Sequence, residues 1–223
     1  MSTVRKLYHL NARERKPVKP PPGIIPADHV ALANVLPAGG WPQRGLVEIM
    51  VPAEATEVMS LLTPALARLS RQDRWLGMVA PPYLPRASIL SFPGMDVSRI
   101  LQINQHASRS GLWTVEQLLQ SGICSVVMAW PACDTELMAT RLQQAAVAGN
   151  TLGILFRIAR FCRRVSRTGL LLVLEEDAEG RVVYRLDDHG NRVAGVALER
   201  RSADLSARAP EPGCGGRNIL RSP

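Results

Sequence analysis

The chain has 223 residues and a formal charge of +8, from 27 Lys and Arg against 19 Asp and Glu; that length suits one domain with tails, since domains usually hold ~100–200 residues. No apolar segment follows the early basic residues and no run approaches the ~18 apolar residues of a membrane span, so neither export nor a membrane is expected and the cytoplasm is the expected compartment. The four cysteines, Cys124, Cys133, Cys162 and Cys214, have no C-x-x-C spacing and no His at zinc-finger distance, which excludes metal and redox motifs and predicts reduced thiols.

Residues 1–27 form a basic, Pro-rich arm (KPVKPPPGIIP) in which Arg5, Lys6, Arg13, Arg15, Lys16 and Lys19 face Glu14 alone. Such a composition favours an extended segment over a helix. A short helix is expected after Asp28, an acceptable N-cap, with Val30, Leu32 and Val35 as its apolar positions, ended by the turn at 37–40. Residues 46–50 (LVEIM) read as a buried strand, and helical spacing from Glu57 to Ser70 follows, with Pro64 marking a kink or a late start. A second strand at 75–80 (WLGMVA) stops at Pro81 and Pro82. Residues 87–92 are expected to be helical until Pro93-Gly94, followed by a strand at 99–104, a helix at 112–120, a strand at 125–130, a helix at 135–148 with Asp134 as its N-cap, and a strand at 151–156. Strands without polar alternation, separated by helices, predict an α/β domain with a parallel sheet covered on both faces. Residues 170–174 and 181–186 then read as an antiparallel hairpin extending that sheet. The chain divides into the arm at 1–27, the α/β domain at 28–190, and a tail at 191–223 expected to be disordered.

The strand, loop and helix unit at 46–70 is where a nucleotide-binding protein keeps its phosphate loop. That loop needs the form G-x-x-x-x-G-K-[ST], because small residues let backbone N–H groups wrap the phosphates while the Lys reaches the terminal one. Here Val51 to Glu57 offers no Gly and no Lys, a Pro without an N–H, and the carboxylates of Glu54 and Glu57. A degenerate P-loop is the consequence, with no nucleotide and no cofactor. Glu48 is expected to point out of its strand toward a protein face. The four histidines are scattered and no serine lies in G-x-S-x-G, so no catalytic triad can be built.

The order of these phrases, GLVEIMVP, PGMDVSRILQIN, LLQSG, SVVMAW and NTLGILFR, resembles a RecA-like ATPase core over residues 36–188. Within that superfamily, LPAGGWPQRGLVEIM, LLTPALARLS, RWLGMVAPPYLP, LWTVEQLLQSGICSVVMAWP and LQQAAVAGNTLGILFR resemble the ImuA/SulA group of bacterial SOS-response proteins over about residues 29–175. The resemblance places Pro81 and Pro82 where such enzymes carry the carboxylate that activates water, and Trp130 where they place the Mg²⁺-holding acid, so catalysis is not expected. GGWP and APPYLP are closer to ImuA than to SulA. They imply a non-catalytic adaptor of error-prone translesion DNA synthesis in the SOS response, whose partners would be the polymerase homologue ImuB, RecA and the error-prone polymerase. The alternative is a SulA-like division inhibitor that binds FtsZ and blocks its polymerisation; a residual ATPase is the third reading.

Contacts to DNA or a partner are expected from Trp41, which the GGWP turn would expose, and from Arg157, Arg160, Arg163, Arg164 and Arg167, which follow the fifth strand where RecA-like recombinases place a DNA-contacting loop. Aromatic faces can also stack on bases, but Trp75 and Trp130 lie inside apolar strand runs and are expected to pack in the core.

Overall fold

The computed structural model describes residues 21–52, 58–82, 91–104, 109–131, 136–158, 169–176 and 181–198. In chain order the elements are β1 (Ile24–Pro26), α1 (Val30–Val35), a 3₁₀ turn (Pro37–Gly39), β2 (Gly40–Pro42), β3 (Gly45–Val51), α2 (Val58–Ser70), β4 (Trp75–Val79), a second 3₁₀ turn (Val97–Arg99) and β5 (Ile100–Ile103). There follow α3 (Arg109–Ser121), β6 (Cys124–Ala129), α4 (Glu136–Ala148), β7 (Leu152–Ile158), β8 (Leu170–Glu176), β9 (Arg181–Leu186) and β10 (Arg192–Leu198).

Eight strands form one sheet in the order β10-β9-β8-β3-β7-β6-β4-β5. From β8 to β5 all neighbours are parallel, whereas β9 and β10 run antiparallel. A separate antiparallel ribbon joins β1 to β2.

Successive strand residues face opposite sides of a sheet, and here both sides are apolar. Val47, Ile49 and Val51 of β3 and Ile154 and Phe156 of β7 pack beneath α1 and α2 in one core, with Leu32, Leu62, Leu66 and Leu69. Leu46 and Leu155, on the other side, meet Leu112, Val115 and Leu119 of α3 and Leu142 and Ala146 of α4. Full burial of such a side chain contributes about 1.5–3 kcal/mol. Two covered faces explain why the strand sequences carry no polar alternation.

Arg74 joins the turns that enter β6 and β7. Its guanidinium donates to the carbonyl oxygens of Gly122 (2.8 Å), Asn150 (2.9 Å) and Gly149 (3.1 Å) and to Thr151 Oγ1 (2.9 Å). The α4–β7 turn lies so close to the end of α3 that a Cβ on Gly149 would sit 1.9 Å from the Leu119 oxygen.

Several expectations are corrected. Arg192–Leu198, assigned to a disordered tail, is the strand β10, because its backbone completes a ladder with β9; Ile24–Pro26, assigned to the arm, pairs with β2. The N-cap of α1 is His29, whose Nδ1 accepts from the Leu32 N–H at 3.4 Å. Asp28 has a left-handed backbone (φ 53) and accepts two hydrogen bonds from Arg68, at 2.7 and 2.8 Å. The helix α2 runs through Pro64 without a late start. The helix expected at 87–92 falls mostly outside the described residues.

Replacing Arg74 by Gln leaves the partly buried Gly122 and Gly149 carbonyls without their charged donor, and hydrogen bonds to charged groups contribute about 1.5–3 kcal/mol each. We expect a loss of at least about 2 kcal/mol, read from the urea midpoint. Burial pushes the Cys124 thiol up from 9.0 to about 11, opposed weakly by Arg74. The folded chain therefore holds this proton longer than the unfolded chain, and the resulting stability is complete below pH 9 and is lost as pH rises to about 11. Urea midpoints from pH 8 upward should fall less steeply for Cys124→Ala than for the natural chain.

Candidate functional site

The C-terminal ends of the parallel strands are where an open α/β sheet places a ligand. At this end β3 finishes in Val51 and Pro52, β4 in Val79, Ala80 and Pro81, and β6 in Ala129, Trp130 and Pro131. Trp130 stacks on Phe156, with centroids 4.7 Å apart and planes inclined by 12°. Beside it, between Ala80, Leu112, Val115 and Pro131, is a void of only about 10 Å³, enough for about one water. Residues 53–57, where a degenerate phosphate loop was expected, and Asp134 lie outside the described residues.

Glu48 and Arg157 meet below this end. Both face the α3–α4 side of the sheet, and Arg157 Nη1 lies 2.5 Å from Glu48 Oε2. The two residues are 0% and 3% exposed, and Glu48 Oε1 has no hydrogen-bond partner. This corrects two expectations. Glu48 does not present a carboxylate to a protein face, and Arg157 cannot reach DNA or a partner, because a charge sealed between β3 and β7 is held by its counter-charge. Trp41 is corrected as well. It is 1% exposed and belongs to the core under α1, because the β1–β2 ribbon turns its indole inward. Arg160, Arg163, Arg164 and Arg167 lie outside the described residues.

Four of the six exposed large apolar side chains among the described residues lie on the α3–α4 layer and its rim, Val97 and Val193 lying elsewhere. Leu112, Val115 and Leu119 commit one face of α3 to the core, and Trp113, on the opposite face, is 60% exposed. Arg141 of α4 clamps Glu116 with Nη2 2.9 Å from Oε2, so the helix that carries Trp113 is held to its neighbour. Trp75 was expected inside the core but is 39% exposed, because it is the first residue of β4 and lies at the rim. Ile123 and Val147, also exposed, share that rim, and the Ile123 carbonyl accepts the Trp75 N–H at 3.0 Å. Trp113 lies ~12 Å along α3 from this rim, at 1.5 Å per residue. A helical wheel drawn on 112–119 would have identified its outward position, since it falls about 100° from Leu112.

Outward aromatic side chains on packed helices are the residue type that protein recognition uses. Among the described residues no group of three or more His, Cys, Asp and Glu could hold a metal, and no helix is long and apolar enough to cross a membrane.

A family model described as cell division inhibitor SulA matches residues 45–153, from β3 to the start of β7. The chain is 32% identical over 117 residues to the cell division inhibitor SulA of Edwardsiella piscicida, spanning 52% of this chain and 70% of that protein. It is 34% identical over 114 residues to the SulA of Yersinia pestis (strain Pestoides F), spanning 51% and 68%. The crystal structure of SulA from Pseudomonas aeruginosa aligns with a TM-score of 0.42 and 23% identity, over 51% of this chain and 98% of that one. These relatives overturn the expectation of a translesion-synthesis adaptor acting with ImuB, RecA and an error-prone polymerase. Of the two phrases that favoured it, GGWP precedes the matched segment and serves the core through Trp41, whereas APPYLP lies within that segment.

Glu48→Gln and Arg157→Met each leave a buried group unpaired, a loss of about 3–5 kcal/mol. Combining Glu48→Leu with Arg157→Met removes both charges, and chemical denaturation should show the double variant less destabilised than the sum of its singles.

Proposed function

The chain belongs to the SulA family, and on that premise we propose that it is a non-catalytic inhibitor of bacterial cell division, made in the SOS response, that binds the tubulin-like protein FtsZ and blocks its polymerisation. The observation that carries this reading is the identity of about a third to proteins named cell division inhibitor SulA, across more than two thirds of their length. Inhibition of this kind requires only a surface. The matched segment contains α3 and α4, so the outward face around Trp113 is the contact we assign, with Trp75 and Ile123 at its rim. Tryptophan is the residue type most enriched among interface hot spots. Arg160, Arg163, Arg164 and Arg167 follow β7 in sequence and are assigned to an acidic part of the same partner. We also read the parallel sheet as RecA-derived, with the arm at 1–27 outside the inhibitory unit.

The test is GTP-driven FtsZ polymerisation, followed by sedimentation and light scattering with increasing amounts of the chain. We expect FtsZ to remain in the supernatant once the two proteins are near equimolar. Trp113→Ala should weaken this by about tenfold or more, as a hot-spot truncation of ≥ 2 kcal/mol would, with an unchanged circular dichroism spectrum. Polymer that sediments normally at severalfold molar excess of the chain would refute the reading.

A further inference from the structure

The opposite end of the sheet holds a larger cavity. About 540 Å³ in volume, it is open to solvent and runs beneath the starts of β3 and β8, from the β1–β2 ribbon to Gln143 of α4. That is within the ~300–1,000 Å³ of ligand pockets. Most of its wall comes from outside residues 45–153, so it is not a feature of the segment matched to SulA.

Its floor is a close approach of backbones. Gly169 has φ +86, and a Cβ there would lie 2.1 Å from the Leu46 oxygen, so β8 starts directly against β3. Gln143 fixes the adjoining edge by accepting the Leu46 N–H at 2.6 Å. Pro42, Leu170 and Val193 give the walls an apolar character.

Two guanidinium groups, Arg44 and Arg185, line this cavity. Neither forms an ion pair among the described residues, and the buried Nε of Arg185 has no hydrogen-bond partner. Asp187, the carboxylate in the lining, is engaged in its own turn, where it accepts from the His189 N–H (2.9 Å), the Asn191 N–H (2.8 Å) and Asn191 Nδ2 (3.1 Å). The cavity thus combines apolar walls with two uncommitted cations, one of them partly stripped of water. A planar guanidinium in that state is matched best by a carboxylate, through two parallel charge-assisted hydrogen bonds. The cavity is open to solvent and its lining reaches from the β1–β2 ribbon to β9 and β10, so an extended chain can enter without the protein opening.

We propose that this cleft is a docking site for an acidic peptide segment of a partner protein, with carboxylates engaging Arg44 and Arg185 and neighbouring apolar side chains seated on Pro42, Leu170 and Val193. It is a second contact surface, on the far end of the sheet from Trp130, and does not depend on the identity of the division target.

Fluorescence anisotropy with a labelled, end-blocked peptide of alternating Glu and Leu, titrated with the full chain at physiological salt, tests the proposal. Saturable binding is expected, weakened at least about fivefold by Arg185→Gln and by Arg44→Gln and also when Gln replaces Glu in the peptide, which is the scale of a lost charge-assisted hydrogen bond. Arg99→Gln, near the other edge of the sheet, should leave it unchanged. Arg44 is exposed, so its variant remains informative if Arg185→Gln does not fold. The proposal is overturned by an absence of saturation, by equal affinity in the Arg44→Gln variant, or by an oligo-Glu peptide of the same length binding as tightly, which would reduce the effect to unspecific attraction.

Discussion

A carboxylate and a guanidinium meet where neither could exist alone. Glu48 and Arg157 belong to β3 and β7, neighbours near the middle of a sheet covered on both faces, and each is almost wholly buried. An uncompensated charge at that depth costs several kcal/mol, so the two must remain together. The ladder places Met50 opposite Arg157 and Glu48 opposite Leu155, and both charges then face the α3–α4 side. A slip of one residue would turn a charge into the apolar core beneath α2. The pair thereby fixes the register of the strands on which the remaining parallel strands are laid.

The same interaction redirects the search for function. A basic residue after the fifth strand invites a reading as an anion contact, yet Arg157 is committed to Glu48. Trp41 is likewise committed to the core, and its indole N–H has no partner there. What is left to meet another protein lies on the helices and at the ends of the sheet. Trp113 stands outward on a helix held by the Glu116–Arg141 pair, and Arg44 and Arg185 remain unspent at the far end. A layered α/β domain can offer both surfaces at once, because its helices cover the faces of the sheet and leave its ends open.

Local pattern was enough for most of the domain. The runs LVEIM, SVVMAW and LGILF are strands because they are short, apolar and bounded by turn residues, and the spacing of Leu112, Val115 and Leu119 makes a helix with one buried face. The hairpin of β8 and β9 followed from two apolar runs around an acidic turn. In RVAGVAL, by contrast, small residues and a Gly conceal β10, whose strand character comes from pairing with β9. The phrases from Leu112 to Arg157 fit the SulA-like alternative almost as well, whereas GGWP points to the branch that the relatives overturn.

Sequence by itself determined most of the strands and helices of the domain and that the sheet is parallel at its centre, because each depends on residues close together in the chain. Only the tertiary structure decided which of the described tryptophans and arginines are exposed. Trp75 opens an apolar run and Trp41 sits in a Gly/Pro turn, yet the first lies at the rim and the second is covered by α1; Arg157 is hidden by a carboxylate 109 residues away. Exposure and charge pairing are set by what distant segments bring alongside a side chain, and a local pattern carries no record of those neighbours.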